Sequence, residues 1–139
     1  MADRRSIIVE QTYVIAAQPE AVFDALVDQG LLSECLVPLQ RLRLTPGSGG
    51  RIGFRDPELG PAIGRIGEYD RGVRLTWRMV QNWPSVLSFD FFREEDGGCR
   101  VDVIQSGFGA LRGERQDIDQ AFADRWEAWM NAIKERLEA

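Results

Sequence analysis

Three apolar rows in succession constrain this chain most. VRLTWRM at 73–79 puts Val73, Leu75, Trp77 and Met79 on one face and Arg74, Thr76 and Arg78 on the other. VLSFDFF at 86–92 repeats the pattern, with Leu87, Phe89 and Phe91 set against Ser88 and Asp90. CRVDVIQSGF at 99–108 does so again, with Val101 and Val103 in one row and Gln105 next on that row. Alternation of this kind marks strands with one buried and one wet face. EEDGG at 94–98 reads as a hairpin loop. Strands joined so tightly pair antiparallel. The apolar face of the resulting sheet has to be covered.

The cover is the last segment, about 114–137, read as one long helix. Ile118, Phe122, Trp126, Trp129, Ile133 and Leu137 fall on an arc of about 100°, the width of a core-facing stripe. Asp117, Asp124, Glu127 and Glu135 lie outside it. Upstream, IIVEQTYVI is a strand with Ile7, Val9, Tyr13 and Ile15 in one row, interrupted by Gln11. QPEAVFDAL starts a helix with Pro19 in its first turn and Val22, Phe23 and Leu26 on one face, closed by Gly30. LLSECL is a second short helix, stopped by Pro38. LQRLRL is a strand whose facing is ambiguous, because Leu39 and Leu42 fall on opposite parities. PGSGG is a turn, RIGFRD and IGRIGEYD are strands, and PELGP is a loop between them. The order is strand, two short helices, about six strands and one long helix. That is an α+β domain with an antiparallel sheet of about seven strands curled around the closing helix. No repeat, linker or composition shift divides it, so residues 1–139 form one expected domain.

The charge balance narrows the partners. A net charge of −5 argues against a nucleic-acid binder. The start, MADRRSIIVEQTYV, has neither a signal-peptide nor a membrane-helix pattern, so a cytoplasmic chain with no integral membrane association is expected. Cys35 and Cys99 form no CxxC motif and are expected as free thiols. Histidine is absent, which removes His-dependent triads and His-containing zinc sites. No metal or cofactor is expected. PGSGGR lacks the ending of a phosphate-binding loop, and GFGALRG lacks the dinucleotide glycine pattern.

Four stretches resemble the START-like, helix-grip superfamily. They are AAQPEAVFDALVD, PGSGGRIGF, GRIGEYDRGVRLTWRM, and QSGFG followed by RWEAWMNAIKERLE. Within the superfamily the chain is most similar to the homologues of the heat-shock-protein-90 ATPase activator, alongside polyketide-cyclase-like proteins. The resemblance implies a helix-grip fold and a cavity for a hydrophobic molecule between sheet and closing helix. Three positions depart from the pattern. Gln105 stands where His is frequent, Arg125 where Gly often precedes the tryptophan, and Glu34, Cys35 and Leu36 where tryptophan is common.

Candidate site residues follow. Trp77, Met79, Phe89, Phe91, Phe122, Trp126 and Trp129 are core positions that would wall a cavity or fill it. Gln105 faces inward if Val101 and Val103 do. It is either a structural amide bonded to a neighbour such as Gln11, or the group that orients a ligand; the first is the commoner fate of a buried amide. Arg125, at the edge of the helix stripe, is either a snorkelling surface residue or an anchor for an anion. Glu68 shares the parity of Ile66 and would be an acid inside the pocket, or a surface charge. The leading expectation is a module that binds or carries a small hydrophobic molecule, lipid or aromatic polyketide-like. The alternatives are a cyclase- or hydrolase-type enzyme using a water held by Gln105 or Glu68, and a protein-interaction or co-chaperone-like module. A monomer or a homodimer suits each.

Overall fold

The computed structural model describes residues 7–107 and 118–139. The expected helix start at 114, Asp117 and most of GFGALRG lie outside the described residues. Strand β1 (Ile7–Ile15) leads into helices α1 (Pro19–Ala25) and α2 (Gln29–Cys35). Strands β2 (Gln40–Leu44), β3 (Arg51–Asp56), β4 (Gly60–Asp70), β5 (Arg74–Gln81), β6 (Ser85–Arg93) and β7 (Cys99–Ser106) follow, and helix α3 (Ile118–Glu138) closes the order. The seven strands form one antiparallel sheet in the order β1-β7-β6-β5-β4-β3-β2. This is the helix-grip α+β architecture that the resemblance implied.

The alternating rows decide which face is inside. Leu75, Trp77 and Met79 of β5, Leu87, Phe89 and Phe91 of β6, and Val101 and Val103 of β7 are buried. They face α3, whose Ile118, Phe122, Trp126, Trp129, Met130 and Ile133 are buried in turn. Each such side chain contributes roughly 1.5–3 kcal/mol by leaving water, so this face is what holds helix to sheet.

Three local expectations change. Gly30 does not close α1; it sits inside α2, because Asp28 caps that helix by accepting from Leu31 N–H at 3.1 Å. Val73 is exposed in the turn before β5 and does not join the row of Leu75. The ambiguous strand β2 resolves through Arg41, whose φ of 55° lies in the left-handed region. The register shifts between Gln40 and Arg43, so Leu39, Leu42 and Leu44 all point inward. A second bulge lies between Ile66 and Tyr69. There Thr76 Oγ1 accepts from Glu68 N–H at 2.8 Å and satisfies the displaced backbone group. Gly64 permits the tight curl of β4 over β5, since a Cβ there would lie 2.4 Å from Arg78 O and 2.6 Å from Met79 Sδ.

Candidate functional site

The space between sheet and α3 is built of rings. Trp126 and Trp129 are on one face of α3 because they are three residues apart, and their rings meet edge to face at 4.9 Å. Trp77 and Phe89 project from adjacent strands and meet at 5.1 Å. Trp126 lies 5.6 Å from Phe89 and 6.2 Å from Trp77, which joins helix to sheet. Phe122 extends the group toward Trp83, at 4.6 Å. The expected wall residues Trp77, Phe89, Phe122, Trp126 and Trp129 are therefore brought together. Met79 is buried on the same row, against Gly64. Phe91 is placed apart from the tryptophans; it packs on Phe23 of α1 at 5.5 Å.

One member of this cluster escaped the sequence reading. Trp83 lies in the turn between β5 and β6, where strand parity gives no facing, yet it is 1% exposed. Its ring meets Phe54 at 4.8 Å and stacks near Trp129 at 6.0 Å, in addition to its contact with Phe122. These separations are those of packed aromatic pairs. The rings fill the interior that they wall.

Gln105 is inside, as parity required, and fully buried. Its partner is not Gln11. Gln105 Oε1 accepts from Trp126 Nε1–H at 2.8 Å, and its Nε2 donates to Ser85 Oγ at 3.2 Å. Ser85 Oγ donates onward to Trp83 O at 3.0 Å. Gln11 is across β1 from Val103, and its amide donates to Ala123 O at 3.2 Å while accepting from the Tyr13 hydroxyl. Burial, with the negative charge of Glu127 nearby, pushes the Tyr13 phenol up to about 12.

Arg125 has its own partner inside the fold. Its guanidinium is paired with Asp56 and with Glu58, the latter at 2.9 Å. The Asp56 side chain is wholly buried and Arg125 is only 15% exposed. Asp56 also accepts from Trp83 Nε1–H at 3.1 Å and from the backbone N–H of Glu58 and Leu59 at 2.8 and 3.2 Å. So Arg125 is a structural clamp, not a free anchor at a pocket mouth. Asp56 ends β3 and shares the inward parity of Ile52 and Phe54.

Glu68 is not inside. The bulge after Ile66 breaks the parity and turns Glu68 to the outer face, where it lies 3.0 Å from Arg74. Neither Glu68 nor Asp56 is therefore an unpaired acid within the cage. Cys35 and Cys99 are buried free thiols, and burial raises the pKa of both. Among the described residues no group of acids and thiols is clustered as a metal site.

One polar group in the cage has no partner among the described residues. Trp83, Trp126 and Trp129 each donate their indole N–H, to Asp56, Gln105 and Val37 O respectively. Trp77 Nε1–H, 1% exposed as a residue, has no acceptor. A buried donor left so costs about 1–3 kcal/mol.

Comparison with known proteins agrees with this architecture. The family described as Activator of Hsp90 ATPase homolog 1-like protein matches residues 16–138. Among solved structures, the Aha1 dimer from Colwellia psychrerythraea is 19% identical with a TM-score of 0.74, over 94% of this chain and 95% of that one. The protein TTHA0849 from Thermus thermophilus is 20% identical with a TM-score of 0.75, over 93% of this chain and 95% of that one. DynU16, a putative protein in the dynemicin biosynthetic locus, is 12% identical with a TM-score of 0.72, over 94% of this chain and 47% of that one. At these identities the likeness is one of fold. No curated protein matches the chain. Among the described residues no helix is long and apolar enough to cross a membrane.

Proposed function

The chain belongs to the Activator of Hsp90 ATPase homolog 1-like family, and from that premise we propose that it is a binding module for a small, flat, apolar molecule carrying one hydrogen-bond acceptor. The ligand lies between the sheet and α3, with Trp77, Phe89 and Trp126 against its faces. The observation that carries this reading is the unpaired Trp77 N–H in a cage where the other three tryptophans are paired. A ligand carbonyl would satisfy it. Admission requires side chains to move, since the rings are in contact. Met79 is the most adaptable of them, being unbranched and thioether-tipped. Gln105 supports the wall by fixing the Trp126 ring and does not itself meet the ligand. Chemistry has little to work with here: Gln105 does not titrate, and Asp56 is held by Arg125.

The test uses tryptophan fluorescence and thermal shift with an anthraquinone, which offers a flat face and a carbonyl, and with palmitate. The anthraquinone is expected to quench the emission saturably and raise the melting temperature. Trp77→Phe keeps an aromatic ring and is expected to weaken that binding several-fold, the worth of about 1 kcal/mol for one hydrogen bond. Absence of any shift with the anthraquinone overturns the reading, as does equal binding by the Phe variant. Preference for palmitate replaces the flat ligand with an acyl chain.

A further inference from the structure

The described arginines fall into two sets. Arg71, Arg74, Arg93, Arg100, Arg125 and Arg136 each pair with a carboxylate. Arg41, Arg43, Arg51, Arg55, Arg65 and Arg78 have no ion pair among the described residues, and all six are on β2 to β5. Strand parity puts Arg43, Arg51, Arg55, Arg65 and Arg78 on the outer face, opposite to the buried rows. The register is sharper still. Arg51 faces Arg65 across β3 and β4, and Arg65 faces Arg78 across β4 and β5. With strands about 4.8 Å apart, three guanidinium-bearing residues span roughly 10 Å. Like charges directly opposite destabilise a sheet, and no carboxylate among the described residues of β2 to β5 offsets this row. Asp56 points inward to Arg125, Glu68 lies beside Arg74, and Asp70 ends β4 opposite Arg74.

An apolar row adjoins the basic one. Ile63 and Val80 face each other across β4 and β5 and are 51% and 50% exposed. Gly53 is across β3 from Ile63 and leaves the row open. Two clefts flank the Arg65–Arg78 pair. One of about 570 Å³ takes in Arg43, Arg51, Ile63 and Arg65, and one of about 460 Å³ takes in Arg78, Val80 and Val86.

We propose that the outer face of β2–β5 docks an acidic polypeptide segment, its carboxylates held by Arg51, Arg65 and Arg78 and its apolar side chains by Ile63 and Val80. Arginine forks bind carboxylates in pairs of hydrogen bonds, and arginine beside exposed aliphatic side chains is the composition of protein interfaces. The chain as a whole carries −5, which opposes the long-range attraction on which nucleic acids and anionic membranes depend. Within a Debye length of about 8 Å the local arginines prevail. This surface is on the opposite side of the sheet from the aromatic cage, so it stands or falls independently of the proposed ligand.

The probe is a fluorescein-labelled peptide of alternating Glu and Leu, followed by anisotropy at two salt concentrations. Saturable, salt-sensitive binding is expected. The triple variant R51Q/R65Q/R78Q is expected to lose about tenfold or more in affinity. It should melt no lower than the parent, since it relieves cross-strand repulsion, so the loss is separable from unfolding. R71Q/R93Q/R100Q removes the same charge from paired positions and is expected to bind within about twofold of the parent. Equal loss in both triples, or no binding by the parent, overturns the proposal. Tighter binding of a single-stranded oligonucleotide or of phosphatidylserine vesicles than of the peptide reassigns the face and overturns it too. So does a concentration-dependent dimer, seen by sedimentation, that the first triple dissolves.

Discussion

Single side chains in the interior are placed by what they must satisfy. Gln105 joins a tryptophan of α3 to a serine of β6, so its replacement strands polar groups on both sides. Gln105→Leu is expected to lower stability by about 1–3 kcal/mol, read from urea unfolding. Asp56 is the more costly position. Removing its charge leaves the Trp83 N–H and two backbone N–H groups without their acceptor, and leaves the largely buried Arg125 guanidinium with Glu58 alone. Asp56→Ala is expected to cost about 3–5 kcal/mol. The double variant Asp56→Ala with Arg125→Met is expected to recover part of that loss, because the cation that has lost its buried partner goes too; a purely additive double-mutant cycle would refute the pairing. Tyr13 gives a pH signature. Its phenol ionises near 12 in the fold and near 10 when unfolded, so the folded state holds the proton longer. Its contribution is full below pH about 10 and falls as pH rises toward 12. Tyr13→Phe is expected to flatten the loss of stability over that window. At this scale the sequence was partly legible: parity put Gln105 inside, but two bulges lay between parity and the outcome for Leu39 and Glu68. Nothing in the residue types announces a bulge. Arg41 in a left-handed conformation is a cost that only the surrounding sheet imposes.

Elements were easier to read than their edges. The row Leu75, Trp77, Met79 and the stripe on α3 specify strand and helix because each period fits one structure. Boundaries depend on single caps. Asp28 starts α2, and this is why Gly30, read as a stop, lies within a helix. Trp83 sits in a turn, where no period applies, so its burial could not be read at all. The second bulge provides a test at this scale. Thr76 Oγ1 holds Glu68 N–H from the outer face. Thr76→Val keeps the shape and removes the acceptor, and is expected to cost about 1 kcal/mol in urea unfolding, with Glu68 N–H exchanging faster with solvent. No change in either quantity would show that the bulge is held by its backbone alone.

The seven-stranded sheet wraps on α3 with α1 and α2 beside it, and the two thiols report on different parts of this fold. Cys99 begins β7 between β1 and β6, whereas Cys35 ends the short helix α2. Burial raises both thiol pKa values, so neither is expected to react at neutral pH without opening of the fold. Labelling followed by mass spectrometry is expected to modify Cys35 before Cys99, because a seven-residue helix opens more readily than a strand paired on both sides. The reverse order would place the weak point in β7. The strand order has a further consequence. β2 to β6 each pair with the next strand along the chain, but β1 waits for β7, and Thr12 meets Asp102 across a separation of 90 residues. Within this sheet a ribosome thus releases β1 before the other six strands and its neighbour β7 after them. During synthesis the meander can assemble as it emerges, while β1 stays single until the sheet it completes already exists.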